Sequence, residues 1–116
     1  MKLLITALLF FIPLLGHAAW TNTSGKVTLV STYTTTEHIL FTLDNNNITV
    51  PENCTTSTFA IEPHISADKR SQLLSVLLAA QASGKTVNIA YDDTLCTPWT
   101  SGSTQYLKVY RIGILN

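Results

Sequence analysis

The run SADKRSQLLSVLLAAQASGKTVNIAY, residues 66–91, joins one helix directly to one strand and organises everything around it. Ser66 is a helix-capping residue, and Asp68 puts negative charge in the first turn, where the helix dipole favours it. Leu73, Leu77 and Ala80 recur at helical spacing, and Leu74, Val76 and Leu78 widen the stripe into a broad apolar face. Gly84 stands where a helix wants a left-handed C-terminal residue. The segment 86–91 then alternates, with Val87, Ile89 and Tyr91 on one face and Asn88 on the other, which reads as a strand.

Ahead of this unit, residues 20–25 read as an irregular lead-in. Residues 26–33 alternate and are rich in β-branched side chains, and 38–43 (HILFTL) resume apolar density, so the two predict a hairpin. Asp44-Asn45-Asn46-Asn47 is a turn signal, because Asn and Asp tolerate left-handed geometry and bond their own backbone. Residues 58–61 (TFAI) predict a third strand, closed by Pro63. After Tyr91 the residues 92–104 read as a long loop, and 105–115 as a last strand. In that strand Tyr106, Lys108 and Tyr110 would share one side, and Leu107, Val109 and Arg111 the other. The order β-β-β-α-β-β is that of an OB-fold, a five-stranded Greek-key barrel with its helix capping one end. An open α+β sheet with the helix on one face is the alternative.

The 116-residue chain opens with MKLLITALLFFIPLLGHAAW. Lys2, an apolar run and the small-x-small triplet Gly16-His17-Ala18 predict a signal peptide over 1–18, cleaved near Ala18/Ala19. The apolar run is short for a membrane span, so a retained anchor is the weaker reading and no membrane association is expected after cleavage. About 98 residues then form a single domain, 19–116, with one core. Export makes the location secreted or periplasmic. Only 12% of the chain is charged and its formal net charge is zero, so nucleic-acid binding lacks an electrostatic footprint. Cys54 and Cys96, an even count in an oxidising compartment, predict one disulfide; with no CxxC between them they suit neither zinc nor redox chemistry. The bridge would close a loop of roughly 43 residues and be worth about 4 kcal/mol in the chain-entropy model.

Candidate chemistry is sparse. His38 begins a strand and His64 sits beside Pro63; no nucleophile-elbow motif accompanies either, so both read as surface or turn histidines. Asp92 and Asp93 are adjacent and point apart, while Glu62 and Asp68 flank the helix start, where the dipole explains them. The 44–47 turn lacks the Gly and final Glu of a calcium loop. No catalysis, metal or cofactor is expected. Three Asn-x-Ser/Thr triplets, at Asn22, Asn47 and Asn53, are ordinary in a chain so rich in Asn and Thr. Trp20, Tyr33, Tyr91, Trp99, Tyr106 and Tyr110 are the aromatics able to stack on a sugar or a base. Phe41, Phe59, Tyr91 and Tyr106 are also core candidates. Trp99 lies in a Pro-, Ser- and Gly-rich segment and is the candidate recognition aromatic; the competing reading has it cover the disulfide loop.

An exported chain beginning near Trp20, with Ser24 ahead of the first strand, a Cys-bearing third-strand region, a helix ending in SGKTVNI (83–89) and then a Trp loop, resembles the B subunits of subtilase-cytotoxin and typhoid-toxin type. The resemblance implies an OB-fold, a homopentamer whose helices line a pore through Lys69, Arg70 and Gln81, and an exported enzymatic subunit as partner. It also implies binding of sialylated glycans on the barrel side, with Ser24 at the position of the family's glycan-binding serine. Gly25-Lys26 stand where the family has acidic neighbours, and the Cys54 to Cys96 span is longer than its more local pairing. The alternative expectation is a monomeric exported domain with a structural or protein-binding role and no glycan activity.

Overall fold

The computed structural model describes residues 20–116. The signal-peptide segment 1–18 and its cleavage site lie outside the described residues. The elements are β1 (Trp20–Thr32), β2 (Ile39–Leu43), β3 (Phe59–Ile61), α1 (Ala67–Ser83), β4 (Thr86–Pro98) and β5 (Gln105–Ile114). The strands close into a barrel in the order β1-β2-β3-β5-β4, antiparallel except for the short β3–β5 pair. The fold is therefore mainly β with one helix, in the expected β-β-β-α-β-β order, and closed rather than an open sheet.

Helix α1 forms where its caps place it. Ser66 Oγ accepts from the Lys69 amide at 3.3 Å, and Gly84 takes φ 66°, a left-handed residue that only glycine adopts cheaply. Leu77 and Ala80 are fully buried under the barrel strands, with Leu73, Leu74 and Val76 packed at the margin. Leu78 stays 45% exposed, so the buried stripe is narrower than the sequence suggests. At the centre Phe41 stacks on Phe59, 5.1 Å between rings, and Tyr91 meets Phe59 edge-on at 5.4 Å. The Tyr91 hydroxyl donates to the Thr49 carbonyl at 2.7 Å and ties the 48–50 segment onto the barrel.

Two sequence expectations need correction. Residues 20–25 are not a lead-in but the first half of β1, paired in register with β4 from Trp20↔Asp92 to Lys26↔Thr86. Residues 92–98 are not loop but the second half of β4, and the true loop is only 99–104. Both segments are polar, and strand pairing rather than apolar alternation makes them β. Cys96 thus sits within β4, not after it, and the Cys54–Cys96 disulfide bolts the segment before β3 onto that strand.

Bulges set the details. Six residues of β4, Tyr91 to Cys96, face three of β5, Leu107 to Val109, and the excess loops out around Asp92. Asp92 Oδ1 accepts from the amides of Thr94 (2.8 Å) and Leu95 (2.7 Å) and from Thr94 Oγ1, which replaces the missing ladder bonds. On β5, Val109 pairs with Tyr91 and Arg111 with Ala90, leaving Tyr110 as the extra residue. Tyr110 and Arg111 consequently both face outward. Arg111 for that reason does not share the side of Leu107 and Val109, as the alternation predicts, and Ile112 fills the core instead. Gly25 has its own local cause: a Cβ there would meet Asp44 Oδ1 at 2.9 Å and Leu43 Cβ at 3.1 Å. Asp44 sits so close because it accepts from the Lys26 amide at 2.7 Å.

Candidate functional site

Ser24 lies on the outer face of β1, because its neighbour Thr23 pairs with the core residue Ile89 while Ser24 itself pairs with Asn88. The same face carries Asn22, Lys26, Asn88 and Arg111. Arg111 Nη2 donates to Asn22 Oδ1 and to Asn88 Oδ1, both at 2.8 Å. Asn88 Nδ2 in turn donates to the Thr23 carbonyl at 3.4 Å, and Asn45 Nδ2 donates to the Ser24 carbonyl at 2.9 Å. The amide oxygens thus hold the guanidinium in one orientation. Among the described residues Arg111 makes no ion pair, so its charge and its other N–H donors face solvent.

At the edge of this face Trp20 stacks on Tyr110, 5.1 Å between ring centroids and 19° between planes, while remaining 52% exposed. Tyr110 is fixed from below: its hydroxyl donates to Asp92 Oδ2 at 2.5 Å. Burial alone would raise the Asp92 carboxyl, but the donors from Leu95, Tyr110 and Thr94 outweigh it and hold it below the usual aspartate range. Burial, then the bond to and charge of Asp92, push Tyr110 up to about 12.

Trp99 belongs to a different surface. Its ring packs against Tyr33 (4.9 Å), His38 (4.8 Å) and Tyr106 (6.0 Å), where the β1–β2 loop meets the β4–β5 loop. It is half-buried. His38, expected at the surface, is 2% exposed, and its Nε2 bonds the Pro98 carbonyl at 3.1 Å. His64 is exposed, as expected. The β1–β2 loop is held by Glu37 in a left-handed conformation, φ 61°, that is costly for a residue with a Cβ. Arg70 of α1 secures it, Nη1 lying 3.3 Å from both the Glu37 carbonyl and its carboxylate.

The structure therefore does not bring Ser24 and Trp99 together, since the residues around one are not those around the other. Arg111 and Asn88 were missed as site residues. A signal for Arg111 exists: Val109 and Ile112, both apolar, break the period of two and mark a bulge at 110–111. No such signal exists for Asn22 and Asn88, whose meeting depends on strand register.

Pockets indent the surface of the described residues. One of about 480 Å³ lies between α1 and the β1–β2 loop, lined by Tyr33, Glu37, Arg70 and Leu74 among others. One of about 440 Å³ lies beside Trp99, and one of about 510 Å³ between α1 and β5, largely apolar. Among the described residues no cluster of three or more His, Cys, Asp or Glu could hold a metal ion, and no helix is long and apolar enough to cross a membrane. No protein-family model matches the chain, and no curated protein matches it.

Proposed function

We propose that this is an exported, non-catalytic binding module of OB-fold type that recognises acidic, sialylated glycans through the outer face of β1, β4 and β5. The observation that carries this reading is the Arg111 guanidinium, oriented by Asn22 and Asn88 and lacking an ion-pair partner among the described residues, beside Ser24 and the exposed Trp20. A sialic acid presents a carboxylate, hydroxyls and an amide on a ring with apolar patches. A planar guanidinium suits the carboxylate, Ser24 and the amides suit the hydroxyls, and an indole suits a ring face. Lys26, two residues from Ser24 on the same face, adds positive charge. The disulfide is consistent with an oxidising compartment.

The test is a glycan array probed with the oxidised protein and with its Ser24→Ala and Arg111→Ala variants. Binding confined to sialosides, weakened by Ser24→Ala and lost in Arg111→Ala, is the expected result. An array without sialoside signal removes the reading. The resemblance to toxin B subunits also proposes a homopentamer with an exported enzymatic partner, and native mass spectrometry decides the first: a clean monomer removes the ring.

A further inference from the structure

We infer that Asp92 is a positioning residue for the proposed glycan site: acting through Tyr110, it holds the Trp20 indole as the seat of a second sugar ring, the one next to the sialic acid. This rests, for the class of ligand, on the glycan-binding reading above. Asp92 is fully buried and does not itself reach the outer face. Its influence passes through two contacts. Oδ2 accepts from the Tyr110 hydroxyl at 2.5 Å, and the Tyr110 ring carries Trp20 at 5.1 Å, nearly parallel at 19°.

Two bulges converge on that one hydrogen bond. They flank the Tyr91↔Val109 pair: the one on β4 contains Asp92, and the one on β5 supplies Tyr110 as its extra residue. Bulges re-aim side chains and gather beside functional sites. A buried carboxylate is costly unless it is fully bonded. Asp92 Oδ1 takes the amides of Thr94 and Leu95 and the Thr94 hydroxyl, which mends the β4 bulge, while Oδ2 takes the Tyr110 hydroxyl alone. Mending β4 therefore needs one oxygen, and the other is left to fix a tyrosine. Lys108 Nζ lies 5.6 Å from the Tyr110 ring centre, but a contact to a ring face does not set the ring's direction as the hydroxyl bond does. Trp20 heads β1, is 52% exposed, and among the described residues stacks on Tyr110 alone.

Spacing assigns the ring. Trp20, Asn22 and Ser24 follow one another at two-residue steps on one face of β1, so the indole lies about 7 Å from Asn22 and about 13 Å from Ser24 along the strand. A sialic acid whose carboxylate meets Arg111 beside Asn22, and whose hydroxyls meet Ser24, fills the interval between those two residues. The indole stands beyond it and takes the apolar face of the next sugar. A side chain already held in place loses less freedom on binding than one that swings, so the Asp92–Tyr110 bond favours the two-ring ligand.

The experiment titrates the disulfide-bonded parent, Tyr110→Phe, Asp92→Asn and Trp20→Ala with two ligands, the methyl α-glycoside of N-acetylneuraminic acid and α2,3-sialyllactose, followed by NMR. Relaxation of the Trp20 indole N–H is measured in the free proteins alongside. Tyr110→Phe keeps the ring and removes only the hydroxyl, so it carries the test should Asp92→Asn fail to fold. Both variants should leave the Trp20 indole more mobile and weaken sialyllactose about fivefold, the worth of one hydrogen bond, with the methyl glycoside within about twofold of the parent. In a Trp20→Ala background, Tyr110→Phe should weaken sialyllactose no further. Equal weakening of both ligands marks general damage to the face and overturns the inference. So do a parent that binds the two ligands equally tightly, an unchanged sialyllactose affinity in Tyr110→Phe, or an indole there as rigid as the parent's. A parent that binds neither ligand strikes the glycan reading and the second ring with it, while the indole relaxation still decides whether the Asp92–Tyr110 bond holds Trp20.

Discussion

The outer face around Ser24 and the hollow around Trp99 solve the same problem, presenting polar groups at a surface, in opposite ways. On the outer face the side chains satisfy one another first: Arg111 is braced by two amides and Tyr110 by a carboxylate. What remains for a ligand is surplus capacity, the outer N–H donors of a charge already oriented. In the hollow the side chains leave each other wanting, with His38 Nδ1 and Thr97 Oγ1 unpaired behind an aromatic cluster. A braced array needs no further partner to be stable. A hollow with unpaired buried groups carries their desolvation cost. The same strand serves both, since β4 carries Asn88 in its regular half and Thr97 beyond its bulge.

That division predicts where damage should spread. Removing the disulfide, by reductant or by Cys54→Ala with Cys96→Ala, should cost about 2–5 kcal/mol in thermal or denaturant unfolding. The loss should fall unevenly. Hydrogen exchange should speed up in the Cys96 half of β4 and around Trp99 before it does at 86–91, where β1 pairs in unbroken register. Equal loss of protection in both halves would contradict the contrast.

Asp92→Asn should come next, costing about 1.5–3 kcal/mol, the range for hydrogen bonds to a charged group. It should loosen the Trp20–Tyr110 stack, visible as a change in near-UV circular dichroism. The pH dependence follows from the two shifts. Asp92 is held below its usual value, so its stabilisation is present above the unfolded aspartate pKa and is lost as pH falls through the lowered folded one. Tyr110 is raised to about 12, so its contribution is intact below the unfolded tyrosine pKa and is lost as pH rises from there through the folded value of about 12. Denaturant midpoints measured across pH should show both limbs in the parent and a flatter acid limb in Asp92→Asn.

Gly25→Ala tests the β1–β2 joint under the outer face. The new Cβ would press on Asp44 Oδ1 and on the rigid Leu43 Cβ, at a cost of about 1–3 kcal/mol. Amide exchange around Trp99 should be untouched. Arg70→Ala is the smallest change and the mirror test: an ion pair with an exposed carboxylate is worth about 0–1 kcal/mol. Its effect should appear as faster motion of the β1–β2 loop at Glu37 and His38, read by amide relaxation, with Ser24 unaffected.

The scaffold was legible because its signals are local. Ser66, Asp68 and Gly84 bound α1 by capping chemistry, and Val87, Ile89 and Tyr91 alternate without interruption. The hairpin between β1 and β2, the Asp44 turn and the disulfide were equally readable. What escaped was whatever depends on partners distant in sequence. Thr21 and Asn22 become strand only because Tyr91 and Ala90 lie opposite, and Asp92 to Pro98 look like loop because a bulge erases their alternation. His38 looks like a turn residue until the Pro98 carbonyl, 60 positions away, closes over it. For the site, Ser24 was named only through resemblance and Trp99 only through its loop; nothing local says that they face different ways.

The measurement that bears most directly on the central claim is a titration of the oxidised protein with α2,3-sialyllactose, followed by NMR in the parent and in Arg111→Ala. The account predicts saturable shifts at Asn22, Ser24, Asn88 and the Trp20 indole in the parent, and their loss in an Arg111→Ala variant that melts within about 0.5 kcal/mol of the parent. Shifts that are absent from that face, or that persist undiminished without the guanidinium, would contradict it.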